Sequence, residues 1–220
     1  MKNNYICNCK HFDYSKKKFK YWEDKKVTSD ELLILEFIQH NIKLDNKNIL
    51  HIGIGNSFIY EKLKKHCKIY GITISNNEIN KALLYKDKNY KVFYCDKISS
   101  KLMDIFNTNM FDLIIDNNLK SYACCQNSFN FMFENFIKLL RRDGSIVTSR
   151  NGMNWVKDLK PKLAFNFQNF FHYKLKESEG KKNNMFKIEE AKQLSKKFSL
   201  NLYSDENILI FKKINEIYSF

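Results

Sequence analysis

The chain has 220 residues, 44% of them apolar and 15% aromatic, which is enough to bury the core of one domain and short for two. Its 38 Lys and Arg residues outnumber 24 Asp and Glu residues, giving a formal net charge of +14. Every apolar run is shorter than the roughly 20 residues of a membrane span, and the first residues lack a signal-peptide pattern, so we expect no membrane association and a cytoplasmic protein.

The positive charge raises the possibility of a nucleic-acid partner, because basic residues neutralise phosphates. All but three of the basic residues are lysines spread along the chain, however, and arginine is the usual choice for bidentate phosphate and base contacts. Abundant Lys, Asn, Ile, Phe and Tyr also fit an A/T-rich coding sequence. Nucleic acid is therefore a possible partner but not the favoured one.

Six cysteines in a chain of this length do not form a dense disulfide framework, so we expect reduced thiols. Cys7, Cys9 and His11 are residue types that bind metals. A tetrahedral zinc site needs a fourth ligand and usually wider spacing between pairs, so we predict no metal.

Strand-like and helix-like patterns alternate along the chain. The first helix is predicted at 28–42, with Ser29 as the candidate N-cap and apolar residues at 32, 35, 38 and 42. The elements that follow are predicted as strand 48–54, a helix from about 57, strand 68–74, helix 76–86, strand 91–95, helix 99–106, strand 111–117, helix 126–142, strand 145–149, helix 187–198, and two strand-like runs within 200–214.

This alternation predicts βαβ units and therefore an α/β fold with a doubly wound, mostly parallel sheet. The last two runs are separated only by a short polar segment, which suits a C-terminal antiparallel hairpin better than another crossover. The prediction is a seven-stranded sheet. Residues 150–184 carry no clear pattern.

Gly53 and Gly55 stand one residue apart at the end of the strand predicted at 48–54. Glycine tolerates positive φ and lets a ligand approach the backbone closely, and the following helix would add free N–H groups suited to a carboxylate. Phe58 occupies the place of the third glycine of a dinucleotide fingerprint, and no P-loop signature is present. The sequence at this point is compatible both with a ligand-binding loop and with an ordinary tight turn.

The ordered set of HIGIGNS, a strand ending in GITIS, a strand ending at Asp96 and the strand FDLIIDN resembles the class I S-adenosylmethionine-dependent methyltransferases over about 48–150. The Gly-x-Gly-Asn-Ser loop and an upstream Tyr21-Trp22 pair look like the eukaryotic protein-lysine methyltransferase branch. The resemblance implies a methyltransferase-like domain at 48–220, with 1–47 as its N-terminal aromatic and helical cap. It also implies S-adenosyl-L-methionine as the cofactor.

The resemblance implies that the methionine end of the cofactor would be held by Gly53, Gly55, Asn56 and Ser57. Most relatives have an acidic residue for the ribose hydroxyls at the position of Thr73.

GITISNNE resembles a stretch of cyclopropane fatty acid synthases in which a threonine and a later glutamine serve the ribose. Glu78 stands at the place of that glutamine, and a carboxylate can accept from both hydroxyls. Asp96 fits the acceptor for the adenine amino group, with a solvated loop acid as the alternative, and Asp116 would face the methyl-bearing end.

For the acceptor side we assign Asn117 and Asn118, together with Tyr21 and Trp22, to substrate binding. Asp116, His172 and Tyr173 are the candidate catalytic residues, since His172 could take a proton near neutral pH. A core or lid role for His172 and Tyr173, and a packing role for the aromatic N-terminal segment, remain alternatives.

The segment after Asp116 lacks the Asn/Asp-Pro-Pro-aromatic signature of enzymes that methylate exocyclic amino groups of nucleic acids. We therefore predict methyl transfer to a nitrogen or oxygen nucleophile of a small molecule or a protein side chain. One alternative is a non-catalytic domain of the same fold that binds RNA or a protein partner through its lysines. Another is an aminopropyl transferase.

Overall fold

The computed structural model describes residues 5–7, 27–119, 123, 125–150 and 186–214. Within these ranges the helices are α1 (Ser29–Asn41), α2 (Phe58–Leu63), α3 (Asn76–Leu83), α4 (Lys101–Ile105), α5 (Gln126–Leu139) and α6 (Ile188–Lys197). The strands are β1 (Lys47–Ile52), β2 (Cys67–Thr73), β3 (Tyr90–Tyr94), β4 (Phe111–Asp116), β5 (Leu140–Ser149), β6 (Leu200–Ser204) and β7 (Ile208–Lys213). None of these helices has both the length and the apolar character required to cross a membrane.

The strands form one seven-stranded sheet in the order β3-β2-β1-β4-β5-β7-β6. Strands β1 to β5 pair in parallel, whereas β7 runs antiparallel to both β5 and β6. The predicted α/β fold with a closing antiparallel hairpin is confirmed. The strand order reverses direction between β1 and β4, and this is where ligands bind in open α/β sheets.

The core lies on both faces of the sheet, as expected when helices cover a parallel sheet on each side. In β4, the side chain of Ile114 belongs to one apolar cluster, while Leu113 and Ile115 belong to the other. Each such buried Leu or Ile stabilises the fold by about 1.5–3 kcal/mol relative to an exposed one. The near-continuous apolar run of β4 follows directly from this double burial.

The N-cap residue of helix α1 lies one residue earlier than the sequence predicts. Thr28 is the N-cap and forms a capping box with Glu31, so the prediction of Ser29 is corrected. The buried face of α1 comprises Glu31, Ile34, Leu35 and Ile38, whereas Leu32, predicted to be on the apolar face, is 39% exposed. A buried glutamate therefore stands where a strictly apolar helix face would place an aliphatic residue.

The boundary between α5 and β5 also differs from the prediction. The helix ends at Leu139, not at 142, and β5 begins at Leu140. Asp143, which falls between the predicted helix 126–142 and the predicted strand 145–149, lies within β5 and has φ of 62°. The register between β4 and β5 is irregular near Phe111, which accommodates this kink inside the longer strand.

Candidate active site

Four polar or glycine-rich segments follow the carboxyl ends of β1, β2, β3 and β4, so the sheet brings them to one edge. At the end of β1, Gly53 and Gly55 have φ of 70° and 53°. A Cβ atom on Gly53 would meet nothing within 4 Å, so its backbone conformation, not a shortage of space, requires glycine there. The Gly53 N–H donates to the Ile72 carbonyl at 2.8 Å and keeps this loop attached to β2.

Ser57 closes the glycine loop in an unusual conformation. Its φ is 69°, its side chain is fully buried, and its Oγ lies 2.9 Å from the hydroxyl of Tyr90. The ring of Tyr90 stacks on Tyr60 with 3.9 Å between centroids, which fixes the hydroxyl in place. Tyr90 therefore braces the loop from β3, a role that the sequence pattern did not suggest.

Gly71 is a second residue whose role at the site was not predicted from the sequence. It lies in β2 directly beside the glycine loop, and a Cβ atom there would overlap Cγ2 of the buried Ile54 and lie 3.2 Å from Val92 Cγ1. A glycine inside a strand often marks such a close approach. The glycine at position 71 was therefore the sequence signal that could have predicted this contact. Gly71 allows Ile54 to enter the core and thereby sets the position of the loop between Gly53 and Gly55.

At the end of β2, Thr73 and Glu78 are joined, although the sequence analysis weighed them as separate ribose contacts. The Thr73 hydroxyl donates to Glu78 Oε2 at 2.7 Å and accepts from the Ser75 N–H at 3.1 Å. Ser75 is the N-cap of α3, which orients Glu78 in the first turn. The backbone N–H of Gly55 also donates to the Glu78 carboxylate. Glu78 is thus tied to both the β2 end and the glycine loop.

Burial raises the pKa of the Glu78 carboxyl from 4.5 to about 7. The hydrogen bonds from Thr73 and Gly55 oppose this rise, and the nearby charge of Glu31 adds to it. The Glu78 side chain therefore exchanges a proton near neutral pH. Such a group can act as a strong acceptor once a ligand supplies donors to it.

Asp96, two residues beyond β3, is 7% exposed, and among the described residues Ile98 and Tyr5 donate to its carboxylate. The Ile98 N–H donates to Oδ1 and the hydroxyl of Tyr5 donates to Oδ2, each at 3.1 Å. Tyr5 belongs to residues 5–7, the described part of the N-terminal segment, and its hydroxyl reaches the site edge. The sequence predicts Tyr21 and Trp22 as N-terminal substrate contacts and does not predict the contact of Tyr5 with Asp96.

Asp116, at the end of β4, forms a buried ion pair that the sequence analysis did not predict. Lys97 Nζ lies 2.7 Å from Asp116 Oδ2, with side chains 7% and 3% exposed. Asp116 Oδ1 accepts from the Asn118 N–H at 3.0 Å. The adjacent Asn117 is 8% exposed, and its Oδ1 has no hydrogen-bond partner among the described residues. This amide oxygen is therefore available to a ligand.

His51, in β1 just before the glycine loop, is fully buried, and neither ring nitrogen has a hydrogen-bond partner in the described ranges. Burial lowers the pKa of His51 to about 4. The imidazole is consequently neutral at physiological pH and contributes no positive charge to the site edge.

The remaining predicted residues, namely Tyr21, Trp22, His172 and Tyr173, lie outside the described residues, as do Cys9 and His11. Their assignments stay predictions. Among the residues that the structure describes, no three His, Cys, Asp or Glu side chains come together in a way that could hold a metal ion.

The sequence matches no protein-family model and, at a significant level, no curated protein. Its fold is shared with many solved structures. An S-adenosylmethionine-dependent methyltransferase from Methanosarcina mazei is 15% identical with a TM-score of 0.57, over 81% of this chain and 98% of that one. The N-methyltransferase NodS from Bradyrhizobium japonicum is 17% identical with a TM-score of 0.53, over 84% and 93%.

A third similar structure is the 1,6-didemethyltoxoflavin-N1-methyltransferase of Burkholderia thailandensis, crystallised with its substrate and S-adenosylhomocysteine. It is 11% identical with a TM-score of 0.60, and the similarity covers 89% of this chain and 81% of that one. The likeness extends over most of each of these proteins. The chain described here therefore has the class I methyltransferase fold.

Proposed function

We propose that this protein is an S-adenosyl-L-methionine-dependent methyltransferase that acts on a nitrogen or oxygen nucleophile of a small molecule or a protein side chain. The observation that carries the proposal is the connected set of Thr73, Glu78 and the Gly55 N–H, which joins the carboxyl end of β2 to the loop after β1, next to the point where the strand order reverses. The proteins of similar fold named above support the cofactor, since all three are methyltransferases and one was crystallised with S-adenosylhomocysteine.

The residues at the sheet edge fit the chemistry of this cofactor. Its ribose offers two hydroxyl donors, and Glu78 presents a buried carboxylate beside a glycine loop whose backbone a ligand can approach. Its adenine amino group needs an acceptor, for which Asp96 stands after β3. The unpartnered Oδ1 of Asn117 after β4 is a further acceptor for the cofactor or the substrate. We assign the methionine end to the loop from Gly53 to Ser57.

When bound, the cofactor would supply a methyl group on a positively charged sulfur, for transfer to an in-line nucleophile with neutral S-adenosylhomocysteine as the leaving group. The protein then has to align the acceptor, exclude water and receive a proton where the nucleophile loses one. We assign Asp116 a positioning role in this scheme, because its two oxygens accept from Lys97 and from the Asn118 N–H. The predicted catalytic roles of His172, as a proton acceptor, and of Tyr173 are kept as part of the proposal.

The proposal is tested by calorimetric titration with S-adenosylmethionine and with S-adenosylhomocysteine. We expect both ligands to bind the wild type with micromolar affinity. In Glu78→Ala this affinity should fall by at least about tenfold, since charge-assisted hydrogen bonds to the ribose are removed. The matched control is Glu36→Ala, which removes an exposed glutamate from α1 and is expected to bind like the wild type.

Absence of binding to a folded wild-type protein would overturn the proposal. In that case a titration with RNA at several salt concentrations would test the alternative of a non-catalytic domain. A steep fall of RNA affinity with salt would favour that alternative, because phosphate contacts release counterions.

A further inference from the structure

Glu31, in the first turn of α1, is a buried carboxylate that is only half explained by its local contacts. It is 1% exposed. Its Oε2 accepts from the Thr28 N–H at 3.0 Å and from the Thr28 hydroxyl at 3.1 Å, which completes the capping box. Its second oxygen, Oε1, has no hydrogen-bond partner among the residues that the structure describes. Capping therefore accounts for one oxygen and leaves the other unexplained.

A buried carboxylate oxygen without a donor is costly, since the loss of water is not compensated. Within the described ranges, no Lys, Arg or His nitrogen lies within 4 Å of Glu31 to offset its charge. Burial accordingly raises the pKa of the Glu31 carboxyl. A donor that arrives with a ligand would remove this penalty.

The position of Glu31 in the fold indicates which ligand can supply that donor. The preceding residue, Asp30, accepts from Ser149 Oγ at 3.0 Å, and Ser149 is the last residue of β5. The first turn of α1 therefore lies over the same sheet edge as the glycine loop. Glu31 is also close enough to Glu78 for its charge to raise the pKa of Glu78. Two buried carboxyl groups thus lie near the loop between Gly53 and Ser57.

S-Adenosylmethionine carries two positive groups, the α-ammonium and the sulfonium. Only the ammonium has N–H donors, and the sulfonium must remain open to the incoming nucleophile. A buried oxygen that lacks a donor is therefore complementary to the ammonium. Resting on the function proposed above, we infer that Glu31 Oε1 accepts a hydrogen bond from the α-ammonium group of the bound cofactor.

The variant Glu31→Gln tests this inference, because glutamine retains the capping box while the negative charge is lost. Its matched control is Glu36→Gln, the same change at an exposed position of the same helix. Each protein is titrated with S-adenosylmethionine, S-adenosylhomocysteine and 5′-methylthioadenosine, which lacks the amino-acid part. We expect Glu31→Gln to lower the affinity for the first two ligands by at least about tenfold and the affinity for the third by less than about twofold. Glu36→Gln should change none of them.

Equal weakening of all three ligands would show a structural role for Glu31 and overturn the inference. A lower affinity for S-adenosylmethionine alone would place Glu31 at the sulfonium and would also overturn the inference. Unchanged affinity for every ligand would overturn it as well. If the wild type binds neither S-adenosylmethionine nor S-adenosylhomocysteine, the proposed function itself fails, which is a distinguishable result.

A second measurement needs no folded Glu31 variant. S-Adenosylhomocysteine without its α-amino group is titrated against the wild type and Glu36→Gln. Both proteins should bind this analogue at least about tenfold more weakly than S-adenosylhomocysteine, since the hydrogen bond to a buried charged acceptor is lost. Equal affinity for the two ligands would overturn the inference.

Discussion

The ammonium group of Lys97 lies 2.7 Å from the carboxylate of Asp116, and both side chains are buried. Lys97 also donates to the backbone carbonyls of Asn118 at 2.6 Å and Leu119 at 3.3 Å. One lysine therefore joins the loop that follows β3 to the loop that follows β4. Because the two loops carry Asp96 and Asn117, this lysine sets the relative position of two candidate ligand-binding residues.

Replacing Lys97 with methionine should destabilise the protein by about 3–5 kcal/mol, because a buried charge at Asp116 is left without its partner. The measurement is urea unfolding of the wild type and the variant. Lys91→Met is the matched control, since Lys91 is exposed on the nearby strand β3. This control should change the free energy of unfolding only slightly. A loss below about 1 kcal/mol for Lys97→Met would show that the ion pair does not hold these loops.

The pKa of Glu78, raised by burial from 4.5 to about 7, makes the stability of the unliganded protein depend on pH. The folded state binds this proton more tightly than the unfolded state. The stabilising contribution of Glu78 is therefore fully present below pH 4.5 and is lost as pH rises through about 7.

Urea unfolding across this interval should show that the wild type loses stability relative to Glu78→Gln as pH rises, because glutamine does not titrate. A stability difference that stays constant with pH would contradict the raised pKa of Glu78. The variant Glu36→Gln serves as the control for an exposed glutamate.

Cofactor binding should release a proton when the pH is below about 7, the pKa of the free Glu78 carboxyl. The proposed ribose hydroxyls donate to both carboxylate oxygens, so the proton must leave. Calorimetric titration with S-adenosylhomocysteine in buffers of different ionisation enthalpy measures this release directly. We expect this release to be smaller in Glu78→Gln than in the wild type. Proton uptake by the wild type on binding would rule out the ribose assignment for Glu78.

Gly71→Ala should destabilise the protein by about 1–3 kcal/mol, because the added methyl group overlaps the buried side chain of Ile54. It should also weaken cofactor binding, since Ile54 lies between the two glycines of the loop. A double-mutant cycle with Ile54→Ala separates the clash from other effects. We expect Gly71→Ala to cost less stability in the Ile54→Ala background, because the overlapping Cγ2 atom is gone. Additive losses would indicate that the steric contact is not the cause.

Much of the fold could be predicted from the sequence because the signals involved are local. A parallel strand buried on both faces must be apolar along its length, as β4 is, and the short polar segment between β6 and β7 leaves room only for a hairpin. The positive φ of Gly53 and Gly55 was likewise foreseeable, since glycine accepts that conformation at little cost. These features depend on residues close together in the chain.

The partners of the polar side chains were decided only by the tertiary structure. Lys97 and Asp116 are 19 residues apart, and Tyr5 and Asp96 are 91 apart, so their contacts exist only once β1 to β4 have assembled in their order. In the sequence, Glu31 is one of two acidic residues in the first turn of a helix, and nothing local indicates that it is buried in the folded protein. The physical reason is that periodicity and turn chemistry act along the chain, whereas burial and charge pairing depend on which segments the folded sheet brings together.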